Sequence, residues 1–208
     1  VSHGQGELVA KLLEDLARCP SVSEIILTQN IPEREIVCPA SLLSSVRVIC
    51  NDQPLGFAAN HNQAFQLCGN AMFAVLNPDI RFEGDPFPQL MEAIAVSGAA
   101  MAAPAVRNPH GTVEDSIRRF PTLSGLMTKA LRLSSGQIHF DARSEPFYPD
   151  WVAGMFMLFR RETYSVLGGF DEGFFLYYED VDICARLKLA GYQSVLCPSS
   201  PIVHHAQR

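Results

Sequence analysis

Through its first half the chain alternates segments of helical periodicity with short apolar runs of strand length, and that order leaves few architectures open. Glu7 to Arg18 carries Leu8, Leu12, Leu13 and Leu16 at helical spacing. Strand-like Glu24 to Leu27 and Val46 to Cys50 follow, then a helix over Phe57 to Cys68, a strand over Ala71 to Leu76, a helix over Pro86 to Val96 and a strand over Ala99 to Ala103. Strands separated by helices of this length predict an α/β fold with a Rossmann-like, mostly parallel central sheet flanked by helices. In such sheets ligands bind beyond the carboxyl ends of the strands, so polar residues just after each strand are the first candidates for a site.

The second half changes character. Residues 107 to 150 are rich in turn formers, as in Asn108-Pro109-His110-Gly111 and Ser134-Ser135-Gly136, with a strand expected near Thr112 to Arg118 and a short helix near Leu123 to Leu133. A smaller, mobile, acceptor-facing region fits here. Trp151 to Phe159 reads as an apolar strand, Arg161 to Leu167 as a short helix, Val181 to Ala190 as a helix stopped by Gly191, and Gln193 to Cys197 as a final strand. The division expected is one domain over 1–208, with one half over 1–106 and the other over 107–208. The opening Val1-Ser2-His3-Gly4 reads as the tail of a strand whose beginning is missing.

Charge and composition exclude several classes. With 16 Lys+Arg against 22 Asp+Glu the net charge is -6, the wrong sign for a binder of nucleic acid backbones. The longest apolar run, Ala93 to Val106, is broken by Ser97, Gly98 and Pro104, so no transmembrane segment is expected. No basic stretch leads into an apolar run at the N-terminus, so no signal peptide is expected either. The six cysteines have neither zinc-site spacing nor the density of a secreted scaffold, and read as reduced thiols of a cytoplasmic protein, four of them on apolar faces.

Three constellations carry candidate chemistry. Asn77-Pro78-Asp79 follows an apolar strand directly; it is either an ordinary turn or a place where a carboxylate and a divalent cation meet a diphosphate. Glu179-Asp180-Val181-Asp182 opens a helix beneath the run Phe174-Phe175-Leu176-Tyr177-Tyr178. Acids at a helix start are favoured by the dipole alone. Helical geometry nevertheless predicts that Asp180 shares the inward stripe of Ile183, Cys184 and Leu187, with Glu179, Asp182 and Arg186 on the other side. An inward carboxylate there suits a general base, and Arg186 four residues after Asp182 suits a surface ion pair. His204-His205 is either a solvated pair or, through His204, a nitrogen ligand to a metal shared with Asp79, a mixed donor set that suits Mn²⁺ or Mg²⁺.

In this order the pieces resemble the inverting family-2 glycosyltransferases of the GT-A fold, most nearly their rhamnosyltransferase-like members. The resemblance is carried by Gly154 to Glu162, by Gly168-Gly169-Phe170-Asp171-Glu172-Gly173-Phe174-Phe175, by Glu179 to Arg186 and by Leu189-Ala190-Gly191-Tyr192, with Gly56 to Asn62 similar to the donor-side helix start. It implies Asp180 as general base and Asp79 and His204 as metal ligands. Donor contacts fall to Ser2 and His3 in one nucleotide loop, Gln29 and Asn30 in the other, Gly56 and Asn62, Asn77, and Gly154 near the donor sugar. Trp151 and Glu179 fall on the acceptor side, and the resemblance makes 1–106 the nucleotide-binding half of the domain and 107–208 its acceptor-binding and catalytic half.

What the resemblance implies is transfer from a UDP- or dTDP-sugar to a hydroxyl of a glycan or lipid-linked acceptor, in cell-surface polysaccharide or glycan synthesis. The protein would be cytoplasmic, or peripheral at the inner face of the membrane. Three positions depart from the family pattern. Asn77 stands where the first acid of an Asp-x-Asp motif is usual, Gln29 where an acid often meets the base, and Gly4 where Asn is common. A Gln amide still offers a donor and an acceptor to a uracil or thymine edge. A non-catalytic nucleotide-sugar or glycan-binding domain is the competing reading; a sugar nucleotidyltransferase fits less well, because no Gly-rich basic loop follows the first strand.

Overall fold

The computed structural model describes residues 1–114, 116–120 and 144–205. Helix α1 (Gly6–Leu16) forms because Val9, Leu12, Leu13 and Leu16 recur on one face, and all four are buried. Strand β1 (Ile25–Gln29) pairs in parallel with β2 (Val46–Cys50), from Ile25 opposite Val46 to Gln29 opposite Cys50. Helix α2 (Phe57–Phe65) leads to β3 (Met72–Leu76), the short β4 (Ile80–Phe82) and α3 (Phe87–Ser97). Gly98, at φ 71°, closes α3 in the left-handed region that favours glycine, its N–H bonded to the Ile94 carbonyl at 3.0 Å.

Strand β5 (Met101–Arg107) is followed by β6 (Ile117–Arg118), β7 (Trp151–Val152), β8 (Phe156–Arg160), α4 (Arg161–Val166), α5 (Glu179–Leu189) and the long β9 (Ser194–His204). The main sheet has the order β3-β8-β5-β9-β4, beside the pairs β1-β2 and β6-β7. A central sheet flanked by helices is the α/β architecture expected. Its strand directions are mixed: β5–β9 and β1–β2 run parallel, whereas β3–β8, β5–β8 and β4–β9 run antiparallel. Two of the antiparallel pairs arise because β8, from the second half of the chain, inserts between β3 and β5 of the first, and the third because β9 runs back along β4.

Two apolar clusters cover the main sheet. One packs α1 and α3 against Phe82, Phe156, Leu158 and Ile202; the other packs α2 and α5 against Phe73, Val75, Met157, Phe159 and Tyr164. All six cysteines are free, and Cys19, Cys68, Cys184 and Cys197 are buried, as their apolar neighbours suggested. Buried Asp15 on α1 accepts Arg81 Nε at 2.6 Å and the Phe82 N–H at 3.0 Å, which ties the helix to β4.

Several boundaries depart from periodicity. The expected strand Trp151 to Phe159 is two strands, because the chain turns away at Ala153–Met155 to meet α5. The strand near Thr112 to Arg118 reduces to β6 and a single bridge from Val113 to Arg107. The helix expected near Leu123 to Leu133 lies outside the described residues, as does most of the segment expected to be mobile. No described helix is long and apolar enough to cross a membrane.

Candidate functional site

Polar residues gather where β1, β2 and β3 end, as α/β sheets dictate. Ser2 lies against β1: its N–H donates to the Thr28 carbonyl at 2.7 Å, and the Asn30 N–H donates to the Ser2 carbonyl at 2.8 Å. Beyond β1, buried Asn30 is held on every side. Its Nδ2 donates to His3 Nδ1 at 3.0 Å and to the Leu55 carbonyl at 2.9 Å, while its Oδ1 accepts Asn51 Nδ2 at 2.9 Å and the Leu55 N–H at 2.8 Å. Asn51 Nδ2 also donates to Asn60 Oδ1 at 2.7 Å, and Asn60 in turn donates to the Leu55 and Gly56 carbonyls. This amide network fixes the loop that leads into α2 and leaves His3 exposed at its edge and Gln29 half-buried beside it. Asn51 and Asn60 were not singled out in the sequence, although each stands just after a strand or at a helix start.

Gly56 caps α2, and its position has a steric reason. A Cβ there would lie 2.6 Å from the Phe175 carbonyl oxygen, which accepts the Phe57 N–H at 3.0 Å. Only glycine lets the two segments approach so closely. Asn62, six residues on, uses all four of its hydrogen-bonding positions inside the protein. Its Nδ2 donates to the Phe170 carbonyl and to Glu172, both at 2.9 Å; its Oδ1 accepts the Tyr164 hydroxyl at 2.8 Å and the Phe170 N–H at 2.9 Å. Asn62 is therefore a clamp between α2 and the segment after α4.

At the start of α5, half-buried Asp180 receives one backbone N–H on each oxygen: Gly154 N–H to Oδ2 at 3.0 Å and Val181 N–H to Oδ1 at 2.8 Å. Each carboxylate oxygen keeps a lone pair free for a further proton. Ile183, Cys184 and Leu187 are buried, as the inward stripe required. Asp182 pairs with Arg186 Nε at 2.8 Å, as the four-residue spacing suggested, and Arg186 also donates to the Leu167 and Gly169 carbonyls. Glu179 is the correction. It is 5% exposed, its Oε2 has no partner, and burial raises its pKa above the usual carboxylate value. The helical wheel explains this, since Glu179 lies four residues, about 40°, from Ile183 and so at the margin of the buried face. Trp151 packs beside this helix in the second apolar cluster. Just before α5, Phe175, Leu176, Tyr177 and Tyr178 are all exposed, and Tyr177 and Tyr178 hold left-handed φ values of 69° and 70°. Strain of that kind in bulky residues concentrates at working sites.

Asp79 and His204 do meet. Strand β9 pairs its last residue, His204, with Ile80, which brings His204 Nε2 to 3.1 Å from Asp79 Oδ2. Glu114, absent from the sequence-based candidates, holds the opposite ring nitrogen, Nδ1, at 2.7 Å. Hydrogen bonding to Asp79, against the opposing cost of burial, and then to Glu114 raises the pKa of His204 to about 9. Asp79 Oδ1 is buried and has no partner. Among the described residues no cluster of three or more His, Cys, Asp or Glu side chains is arranged to hold a metal by itself. Asp79, His204 and Glu114 thus form a linked acid–imidazole–acid arrangement that leaves one Asp79 oxygen unpartnered. The Asp79 and Asp180 sites share a wall. The Asn77 N–H donates to the Met155 carbonyl at 3.0 Å, and Gly154, next in the chain, holds Asp180.

No protein-family model matches the chain. The rhamnosyltransferase WbbL of Escherichia coli K12 is 28% identical over 216 residues, covering 99% of this chain and 81% of its own length. An N-acetylglucosaminyl-diphospho-decaprenol L-rhamnosyltransferase of Mycobacterium tuberculosis is 36% identical over 140 residues, 63% of this chain and 46% of that protein. In sequence, then, the chain is similar to rhamnosyltransferases along nearly its whole length. Solved structures agree on the fold. GalNAc-T7 with UDP, GalNAc and Mn²⁺ superposes with a TM-score of 0.67 at 16% identity, over 90% of this chain and 38% of that one. The mannosyltransferase PcManGT of Pyrobaculum calidifontis, with GDP-Man and Mn²⁺, gives 0.66 at 13% identity, over 100% of this chain and 55% of its own. The fold is that of the GT-A glycosyltransferases. Sugar transfer is the supported function, and the binding-only reading is not favoured.

Proposed function

We propose that the chain transfers a sugar, with inversion, from a nucleoside diphosphate donor to a hydroxyl of a glycan or lipid-linked acceptor, with Asp180 as the base. The observation that carries this is the carboxylate of Asp180, fixed by Gly154 and Val181 with lone pairs to spare. The acceptor O–H gives its proton to Asp180 as its oxygen bonds to the anomeric carbon; the bond from that carbon to the diphosphate oxygen breaks, and its electron pair leaves with the diphosphate. Attack from the side opposite the leaving group inverts the centre.

Donor binding is assigned to a rim of His3 and Gln29 that the buried Ser2 and Asn30 position, with Gly56, Asn77 and Gly154 lining the approach, while Asn62 holds the frame. Asp79 and His204 would hold Mn²⁺ or Mg²⁺, whose chemistry is to offset charge developing on the departing diphosphate. Support comes from the orphaned Asp79 oxygen and from the Mn²⁺ in both structural neighbours. Trp151, Glu179 and the exposed Tyr177 and Tyr178 form the acceptor side. The mycobacterial relative, named for a diphospho-decaprenol substrate, supports a lipid-linked acceptor and, with it, peripheral association with a membrane.

The test is Asp180→Asn, assayed with dTDP- and UDP-sugars. Transfer should fall by about 10² or more, the usual scale for a general base, while donor affinity stays within twofold. Asp182→Asn is the control: its ion pair with Arg186 is partly solvated and lies off the inward stripe, so turnover should persist. Unchanged transfer by a folded Asp180→Asn protein would overturn the assignment.

A further inference from the structure

Among the described residues the exposed large apolar side chains are scattered along the sequence, which is ordinary, except for four that are consecutive. Phe175, Leu176, Tyr177 and Tyr178 are 68%, 54%, 72% and 69% exposed. The run is pinned at both ends. The Phe175 carbonyl accepts the Phe57 N–H at 3.0 Å at the start of α2, and the Tyr178 carbonyl accepts the Asp182 N–H at 2.9 Å in the first turn of α5. Between the pins Tyr177 and Tyr178 hold left-handed backbone, which bulky residues seldom adopt, so the tip is held out by its ends and not by its own preference. The pin at Phe175 brings a second segment to the tip: Gly56 packs against the Phe175 backbone, and Leu55, just ahead of it, is exposed as well. Asp180 follows two residues after Tyr178.

We propose that Leu55 and the run Phe175 to Tyr178 insert into the surface of a lipid bilayer, which seats the start of α5 at headgroup level, where the sugar of a lipid-linked acceptor lies. The purpose of the contact rests on the proposed transferase reading; the contact itself does not. Leu55, Phe175 and Leu176 carry no polar side-chain atom and match hydrocarbon, whereas Tyr177 and Tyr178 are apolar rings with a polar tip, the kind of side chain that gathers at membrane–water interfaces. Stacking on a sugar would need one or two rings and would leave Leu55 and Leu176 without a role. A second protein fits poorly, since five side chains fall well short of the roughly 20–30 residues a side of a stable interface. Charge narrows the choice of lipid. Exposed Asp52, Asp171 and Glu172 lie beside the patch in sequence, and neither 52–57 nor 170–180 contains Lys or Arg. These segments offer no polybasic attraction to anionic headgroups, so insertion of apolar side chains into zwitterionic lipid carries the contact.

The experiment is flotation of the 208-residue chain with phosphatidylcholine vesicles, with neither donor nor acceptor present, so that its outcome is separate from that of the Asp180→Asn assay. The chain should float with the vesicles. Phe175→Ser/Leu176→Ser, which changes only exposed side chains and should leave Tm within about 2 °C, should lower the partition coefficient about tenfold or more. Leu176→Trp should raise it by about threefold, a gain that misfolding does not produce. Neither about 0.5 M NaCl nor replacement of about a fifth of the lipid by phosphatidylserine should strengthen or release the bound protein more than twofold. A chain that stays below the vesicles, a double variant that floats as well as wild type, or binding that appears only with phosphatidylserine and is released by salt would each overturn the proposal. So would a dimer in sizing chromatography that the double variant dissolves, because the run would then be covered by a second copy.

Discussion

Asp79 and His204 lie 125 positions apart in the chain and 3.1 Å apart in space, and the chemistry of the proposed metal site turns on that meeting. Asp79 is legible because an apolar strand ends in Asn-Pro-Asp. Glu114 is not, because it lies in a turn-rich stretch with no periodicity to mark which way a side chain points. Glu179 was placed on the wrong side for a related reason: at the first turn of a helix, at the margin of its buried face, periodicity assigns inside and outside poorly. On the proposed reading, Asp79→Ala should abolish the strengthening of donor binding by Mn²⁺. Glu114→Gln, which leaves both ligands in place but loosens the imidazole, should weaken Mn²⁺ affinity about tenfold. Isothermal calorimetry of donor binding with and without Mn²⁺ reads both effects. An Asp79→Ala protein that keeps its metal dependence would refute the site.

The elements themselves were mostly legible, since each is an amphipathic helix or an apolar run; their ends were not. Strand β9 continues to His204 although Pro198 and Pro201 suggest a stop near Cys197. It does so through an irregularity opposite β5, where Pro104 pairs with Cys197 but Val106 pairs with Ile202, so residues that cannot donate to a ladder are accommodated outside it. Strand β4, too short to announce itself, is held by β9 on one side and by Asp15 of α1 on the other. Burial raises the pKa of Asp15, but bonds from Arg81 and the Phe82 N–H outweigh it and hold the group below its ordinary 3.8. Because the folded-state value is the lower one, this contact stabilises the fold above the usual carboxylate pKa and is lost as pH falls through the depressed one. Asp15→Ala should cost about 3 kcal/mol at pH 7, because it strands Arg81 and an N–H. The difference from wild type should shrink below about pH 4. Urea unfolding at several pH values measures it, and a difference that does not vary with pH would show that the carboxylate charge contributes nothing.

At the scale of the whole molecule the sequence suggests two halves, 1–106 and 107–208, within one domain, and the strand order says what holds them together. That order could not be read from periodicity, because apolar runs report burial and not which edge meets which. Strands β3 and β5 of the first half do not pair; β8 of the second lies between them, and β9 carries β4. Asn62 adds a polar clamp across the same divide, with bonds to Tyr164, Phe170 and Glu172. Removing residues 107–208 would therefore leave β3, β4 and β5 without any of their sheet partners and expose Val75, Met101 and Ala102, each now 0% exposed. Cut strand edges and an uncovered apolar face do not make a stable unit. Residues 1–106 expressed alone should show no cooperative unfolding in urea, and the intact chain should unfold in one transition whose m-value reflects its full length. Far-UV circular dichroism and intrinsic fluorescence, followed together, test both expectations. A cooperative transition in the 1–106 fragment, or two separate transitions in the intact chain, would mean that the halves are independent domains and that the interleaved sheet is not what joins the donor rim to the base.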